Sequence, residues 1–255
     1  MSGKPSDPCE LLEWDTAFFG FRIARARERL LDEPRAAEID AWCRRNQVCC
    51  IYFLACPDCA DSTRVAEQHD FRLVDIRMTL ERDPAVPPQA ELGRTFAGEI
   101  RSARPADMPA LQQIARVSHT DTRFFQDPHF AKDRSAALYE TWIKVSLEGY
   151  AHAVLVAELE GCPAGYISCH LESTLHEGRI GLLGVSGETR GQGVGASLVS
   201  RALAWFCDQG VRRVLVATQG RNVRAQRLYQ RCGFVTSTVD LWYHKWYGSP
   251  GAACE

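Results

Sequence analysis

The stretch from Arg179 to Gly195 constrains the fold more than any other part of this sequence. It opens with an apolar run over 180–185, which is typical of a buried strand, and then passes into a turn that carries three glycines. Apolar residues recur at helical spacing from Ala196 to Phe206. We therefore predict a strand, a glycine-rich turn and a helix N-terminus, whose converging N–H groups and helix dipole suit a phosphate or pyrophosphate.

Two familiar phosphate loops do not account for this turn. A Walker loop ends in Gly-Lys-Ser/Thr, which the turn lacks. A dinucleotide fingerprint is formally matched by Gly191, Gly193 and Ala196, but no acidic residue ends the next strand, over 214–219. The sequence after Gly195 is also too short for the rest of a doubly wound sheet.

The turn instead resembles the acyl-CoA loop of the GNAT N-acetyltransferases, whose pattern is R/Q-x-x-G-x-G/A. The residues Arg190-Gly-Gln-Gly-Val-Gly195 match that pattern position by position. A second GNAT pattern, N-x-x-A-x-x-x-Y-x-x-x-G-F, is reproduced at full spacing from Asn222 to Phe234. Two motifs in the right order identify the chain as similar to this family, and imply the α/β GNAT acyltransferase fold with a mixed (α+β) sheet.

The resemblance also implies roles for individual residues. Tyr229 stands where the family has its general acid, which protonates the departing CoA thiolate. Asn222 follows a strand, where its amide can cap the next helix or bind a ligand amide. The residues expected to bind acetyl-CoA are Leu183, Gly184, Val185, Arg190, Gly191, Gln192, Gly193, Val194, Gly195 and Asn222.

The sequence does not identify the general base. Many GNAT enzymes carry a glutamate on the central strand, but 180–185 reads Ile-Gly-Leu-Leu-Gly-Val. Glu188, His119 and Asp121 are candidates, acting through water, and each also has a surface or capping role as its alternative. No base is required if the amine arrives neutral.

Further segments resemble one bacterial subfamily, the dTDP-fucosamine N-acetyltransferases. They are LEWDTAFFGF, SHTDTRFFQDPHF, RIGLLGV, ATQGRN and TSTVDLWYHKW, which together span most of the chain. The resemblance implies acetyl transfer from acetyl-CoA to the 4-amine of a dTDP-4-amino-4,6-dideoxyhexose, for surface polysaccharide. The expected acceptor-binding residues are Thr120, Asp121, Arg123 and Phe124, with Arg123 pairing with the nucleotide diphosphate.

The chain divides into two predicted domains. Residues 1–93 form a smaller αβ domain that ends in the proline-rich linker Arg82–Pro88, and residues 94–255 form the catalytic domain. Segment 11–20 combines aromatic residues with a turn, and segment 119–130 reads as a polar and aromatic loop. Helices are predicted over 34–46, 63–69, 107–118 and 135–148, and strands over 21–26, 50–54, 73–80, 99–103, 153–158, 164–170, 214–219 and 237–246.

Composition narrows the class of protein. The formal net charge is -2, which gives no electrostatic reason to expect a nucleic acid partner. No apolar run is long enough to span a bilayer and the N-terminus does not resemble a signal peptide, so we expect a cytoplasmic protein without membrane insertion. The 11 cysteines are scattered and odd in number, which indicates reduced thiols. The cysteine-rich segment 43–59 lacks a second well-spaced ligand pair, so no metal is expected.

Two other functions remain open. A GNAT enzyme could act on another amine, such as an antibiotic, a polyamine or a protein N-terminus. A catalytically silent acyl-CoA sensor belongs to a different class, and retention of the loop and of Tyr229 argues against it. The exact sugar, the acyl length and the oligomeric state, including a homodimer, are not decided by the sequence.

Overall fold

The computed structural model describes residues 7–87, 96–172 and 176–248. Its strands are Cys9–Leu11 (β1), Ile23–Ala26 (β2), Cys50–Ala55 (β3), Arg72–Arg82 (β4), Glu99–Ser102 (β5), Ala153–Leu159 (β6), Cys162–Glu172 (β7), Glu177–Val185 (β8), Arg213–Gln219 (β9) and Val235–Trp246 (β10). Its α-helices are Glu13–Phe19 (α1), Glu33–Arg45 (α2), Ala60–Gln68 (α3), Met108–Ser118 (α4), Arg123–Gln126 (α5), Lys132–Val145 (α6), Val194–Asp208 (α7) and Val223–Arg231 (α8). The expected mixed α/β architecture is confirmed.

The chain folds into two compact units that are not consecutive in sequence. Unit 1 takes the described residues of Met1–Arg77, Arg123–Ala131 and Val239–Glu255, and unit 2 takes those of Met78–Thr122 and Lys132–Thr238. The predicted boundary between residues 93 and 94, like Pro88 of the linker, lies outside the described residues, so that boundary stays a prediction.

Unit 1 is built on the strand order β1-β2-β3-β10. Strand β3 pairs in parallel with β2 and antiparallel with β10. Its core includes Ile39, Phe53, Val65 and Tyr243, all at least nine-tenths buried. Each large apolar side chain buried in this way stabilises the fold by roughly 1.5–3 kcal/mol.

Segment 123–131 is held in unit 1 by one buried carboxylate. Asp127 accepts hydrogen bonds from His244 Nδ1 at 2.6 Å and from Trp246 Nε1 at 2.9 Å. His129 Nδ1 lies 2.8 Å from its other oxygen. Burial alone would raise the pKa of Asp127, but the bonds from His244 and Trp246 outweigh it and hold the pKa far below its usual range.

Unit 2 is built on the order β4-β9-β8-β7-β6-β5, with β8 and β9 parallel and β5 to β8 antiparallel. Helix α7 packs on this sheet through buried residues that recur at helical spacing, among them Leu198, Ala202 and Phe206. Gly178 of β8 lies under the Phe206 ring, where a Cβ would stand 2.5 Å from ring carbons.

Two segments are more helical than predicted. Residues 13–19 form α1, which ends at Gly20 with φ +84° and a hydrogen bond from its N–H to Thr16. Trp14 and Phe18 stack at 5.2 Å, the i,i+4 contact of a helix face. The expected loop 119–130 contains the short helix α5. No helix in the described residues is long and apolar enough to cross a membrane.

Candidate active site

Strand β8 loses one of its two neighbours halfway along its length. Its parallel pairing with β9 runs from Glu177–Arg213 to Ile180–Val216 and is not continued within the described residues. Its pairing with β7 continues as far as Val185–Gly165. The last five residues of β8 therefore present an open edge on the β9 side.

The direction of the N–H groups along this edge follows from the pairing. The N–H of Leu182 donates to Ser168 Oγ and that of Ser186 to the Ala164 carbonyl, both on the β7 side. Because successive N–H groups of a strand alternate in direction, those of Leu183 and Val185 point to the open edge. This edge offers two donors to a carbonyl oxygen, as an oxyanion site requires.

The glycine-rich turn follows directly after a single 3₁₀ turn at Gly187–Thr189. Gly191 and Gly193 have φ of +80° and +86°, which side-chain-bearing residues rarely adopt, and Gly193 is the N-cap of α7. The N–H groups of Arg190, Gly191 and Gly193 make no backbone hydrogen bond to any described residue. The first turn of α7 adds further unpaired N–H groups.

The fit of this turn to a pyrophosphate rests on space and on charge. A Cβ on Gly191 would meet nothing within 4 Å, so the turn is open on that side. Arg190, Gly191 and Gln192 are exposed, whereas Val194 is buried and anchors the helix. An open cradle of N–H groups at the positive end of a helix is suited to a phosphate anion.

Helix α8 carries the second motif. Asn222 Oδ1 accepts from the Ala225 N–H at 3.1 Å, so the side chain acts as the helix cap. Gln226 Nε2 donates to the carbonyls of Gln219 and Gly220, which ties the helix to the end of β9. The capping alternative for Asn222 is therefore realised.

Tyr229 lies on the buried face of α8. It is 4% exposed, and its ring meets Phe234 edge-on at 5.6 Å. Burial raises the pKa of its hydroxyl above the ordinary value, so the group keeps its proton at neutral pH. The hydroxyl forms no hydrogen bond with any residue in the described part of the chain.

A histidine–tyrosine pair stands behind β8. His119 Nε2 lies 3.0 Å from the Tyr166 hydroxyl, and the imidazole stacks on Tyr139 at 4.6 Å. Tyr166 pairs with Gly184 across the strands, and a Cβ on Gly184 would stand 2.5 Å from the Tyr166 ring. Sequence reasoning missed Tyr166 because only strand register places it against Gly184.

The three candidate bases differ in their surroundings. Burial lowers the pKa of His119 to about 4, so its imidazole is neutral at neutral pH. Glu188 is exposed on the 3₁₀ turn, and Asp121 is half-buried. His119 alone of the three has a hydrogen bond, in the described residues, to a side chain packed on β8.

The expected acceptor residues fall in both units. Thr120 and Asp121 belong to unit 2, and Arg123 and Phe124 belong to unit 1. Within unit 1 the Arg123 guanidinium lies 4.1 Å from the Trp242 ring centre and 4.6 Å from those of Tyr52 and Phe124. Its Nε is buried and has no hydrogen-bond partner in the described residues.

The described residues contain no group of three or more His, Cys, Asp or Glu side chains arranged to hold a metal ion. Cys56 and Cys59 are half-buried free thiols.

Comparison with known proteins gives consistent matches. The family model described as the acetyltransferase (GNAT) family matches residues 111–234. The chain is 30% identical to a dTDP-fucosamine acetyltransferase of Escherichia coli O6:H1 strain CFT073, over 92% of the chain and 97% of that protein. It is 33% identical to the spore coat polysaccharide biosynthesis protein SpsD of Bacillus subtilis over 59% of the chain, but covers only 51% of that protein.

Solved structures share the fold. A GCN5-related N-acetyltransferase from Sphaerobacter thermophilus superposes with a TM-score of 0.66 at 18% identity, covering 95% of this chain and 77% of that one.

Proposed function

This chain belongs to the GNAT acetyltransferase family, and from that premise we propose that it transfers acetyl from acetyl-CoA to the 4-amine of a dTDP-4-amino-4,6-dideoxyhexose. Acyl transfer itself follows from the family, whose members in general use acetyl-CoA. The nucleotide sugar, and its use in surface polysaccharide, are the proposed part. A relative that the chain matches over 92% of its length is named for dTDP-fucosamine, which supports this choice of acceptor.

Acetyl-CoA is proposed to bind along β8 and the turn before α7. The unbonded N–H groups within 190–195 would hold the pyrophosphate, and the open edge at Leu183–Val185 would receive the acetyl thioester. Holding acceptor and donor together lets the amine attack directly, which removes the entropy cost of a bimolecular encounter.

In the proposed reaction, backbone N–H groups stabilise the oxyanion and Tyr229 protonates the leaving group. The amine nitrogen forms a bond to the thioester carbon while the carbonyl electron pair moves to oxygen, where the Leu183 and Val185 N–H groups stabilise it. The nitrogen loses its proton to solvent. The carbon–sulfur bond then breaks, and the thiolate takes the proton of Tyr229, which is regenerated from solvent. A phenol is a weak acid toward a free thiolate, so the proton moves as the bond breaks.

The proposal that the acceptor is a nucleotide sugar is supported by the surroundings of Arg123. Three aromatic rings hold its guanidinium in unit 1. None of the ion pairs among the described side chains uses Arg123. Its positive charge does act on Asp15, where it opposes the burial that raises the pKa of that carboxyl. An ordered cation of this kind suits a diphosphate, and exposed aromatic residues such as Trp14, which is 43% exposed, suit a base or sugar ring.

The test is a measurement of CoA thiol release with a panel of amines. It contains dTDP-amino sugars, polyamines, aminoglycosides and peptides with free N-termini, each supplied with acetyl-CoA. We expect kcat/KM to be highest for the dTDP-amino sugars. A preference for any other class would refute the acceptor while leaving the family assignment intact, and absence of thiol release with every amine would favour an acyl-CoA sensor.

A further inference from the structure

The pair formed by His119 and Tyr166 raises the question of which atom carries the shared proton. The two side chains come from α4's C-terminal cap and from β7, with 3.0 Å between Nε2 and the hydroxyl oxygen. Their surroundings are aromatic and apolar: Tyr139 of α6 stacks on the imidazole, and no charged side chain contributes to the lowered pKa of His119. The imidazole is therefore neutral, with one proton on one of its two nitrogens.

Burial of Tyr166 decides between the two tautomers. Tyr166 is fully buried, and in the described residues its hydroxyl has one partner, His119 Nε2. If Nε2 carried the proton, the Tyr166 O–H would be left as a buried donor without an acceptor, which is unfavourable. The tyrosine therefore donates to Nε2, and the proton of the imidazole stays on Nδ1. His119 is half-buried, and its Nδ1 makes no hydrogen bond within the described chain.

The pair lies against the half of β8 that carries the open edge. Ser118, the chain neighbour of His119, donates to the Val185 carbonyl at 3.4 Å. The Tyr166 hydroxyl lies 3.0 Å from the point that a Cβ on Gly184 would occupy. The pair thus packs on Gly184, between the two residues whose N–H groups face the open edge, Leu183 and Val185.

We propose that His119 donates its Nδ1–H to the carbonyl oxygen of the acetyl thioester, with Tyr166 holding the imidazole in the tautomer that makes this possible. The inference rests on the proposed acetyl transfer. When the amine attacks, the electron pair displaced onto oxygen gains a third donor beside the two backbone N–H groups. His119 is then excluded as the base, because Nδ1 already carries a proton and the lone pair of Nε2 accepts a hydrogen bond from Tyr166.

The tautomer is tested on the free protein by nitrogen NMR of histidine-labelled samples. We expect His119 to show a protonated Nδ1 and an unprotonated Nε2, and Tyr166→Phe to shift the population toward the other tautomer. A protonated Nε2 in the unaltered protein would overturn the proposal. This measurement needs no acceptor, so it stands even if the proposed sugar is wrong.

The donor role is tested by two substitutions at His119, assayed with whichever amine the panel selects. His119→Ala is expected to lower kcat by roughly 10²-fold, the effect of losing one oxyanion donor, with little change in KM for either substrate. His119→Asn places an amide N–H near the position of Nδ1 and should recover part of the loss. The control is His176→Asn, because His176 is exposed before β8 begins and its φ of +48° is tolerated by asparagine.

Three results would contradict the donor role. One is an equal loss in the alanine and asparagine variants that is recovered by raising the pH or adding imidazole, since this indicates a base. Another is a raised acceptor KM with unchanged kcat, which indicates sugar binding. The last is an equal fall in kcat for the His176 control, which indicates an effect that is not specific to His119.

Discussion

The proposed general-acid role of Tyr229 requires a hydroxyl that keeps its proton until the leaving group departs. The side chain is 4% exposed, and burial raises the pKa of its hydroxyl. Tyr229→Phe removes only the hydroxyl and keeps the ring that packs against Phe234. We expect kcat to fall by roughly 10²-fold or more, with little change in KM for acetyl-CoA, because general acids contribute about that much.

Steady-state kinetics with the proton-transfer step kept rate-limiting will measure this effect. Tyr243→Phe is the control, since Tyr243 is equally buried but lies in the core of unit 1. An unchanged kcat in Tyr229→Phe would contradict the general-acid role and show that Tyr229 contributes only packing.

A substitution at Arg123 is a second test at the scale of single residues, and it concerns the proposed binding of the nucleotide sugar. Its guanidinium lies against three rings, a geometry that the point charge of lysine does not reproduce. Arg123→Ala should raise the KM of the nucleotide sugar about tenfold or more, the effect of losing one charge-assisted contact, while the KM of acetyl-CoA stays constant. Arg45→Ala, an exposed arginine of α2, is the control. A change confined to acetyl-CoA would contradict the assignment.

At the scale of elements, the turn between β8 and α7 is expected to act through backbone N–H groups and charge. Gly191 offers a clean test, since its φ of +80° is tolerated by asparagine and aspartate and no atom lies near its Cβ position. Gly191→Asp adds a negative charge beside the proposed pyrophosphate, and Gly191→Asn adds the same shape without it. Calorimetry should find acetyl-CoA binding about tenfold or more weaker for aspartate than for asparagine, a difference of about 1.4 kcal/mol. Equal affinities would place the pyrophosphate elsewhere.

The same elements show what the sequence could predict. The strand, turn and helix around Arg179–Gly195 were predictable because apolar periodicity and glycine placement are local properties. Helix α1 was not recognised, although the i,i+4 spacing of Trp14 and Phe18 carried the signal. The pair His119–Tyr166 joins residues 47 positions apart, and the rings around Arg123 come from β3, α5 and β10. Such contacts depend on strand register and tertiary packing, which no local pattern contains.

At the scale of the whole molecule, each unit has its own apolar core and its own buried histidine. His170 in unit 2 and His244 in unit 1 are 7% and 1% exposed. Burial lowers the pKa of each to about 4. In the unfolded chain both return to about 6.5. Between these values the unfolded state binds more protons than the folded state.

Stability should therefore fall as the pH is lowered through this window. Each histidine contributes a slope of up to about 1.4 kcal/mol per pH unit, and because burial also lowers the pKa of His119 to about 4, the three together give up to about three times that near pH ~5. Urea unfolding followed from pH ~7 to pH ~5 will measure the slope. His170→Gln and His244→Gln should each reduce it, whereas the exposed His176, changed to Gln, should not. A free energy of unfolding that is flat over this range would contradict the assigned protonation states.

The proposed function makes the nucleotide part of the substrate essential to the rate. Binding energy from the base, ribose and diphosphate would be used to position the 4-amine at the open edge of β8, so removing the nucleotide should lower kcat as well as raise KM. The most direct measurement is kcat/KM for the dTDP-4-amino-4,6-dideoxyhexose and for the same free amino sugar, both at saturating acetyl-CoA. We expect the nucleotide sugar to exceed the free sugar by about 10³-fold or more. Equal values for the two substrates would contradict a nucleotide-sugar acceptor.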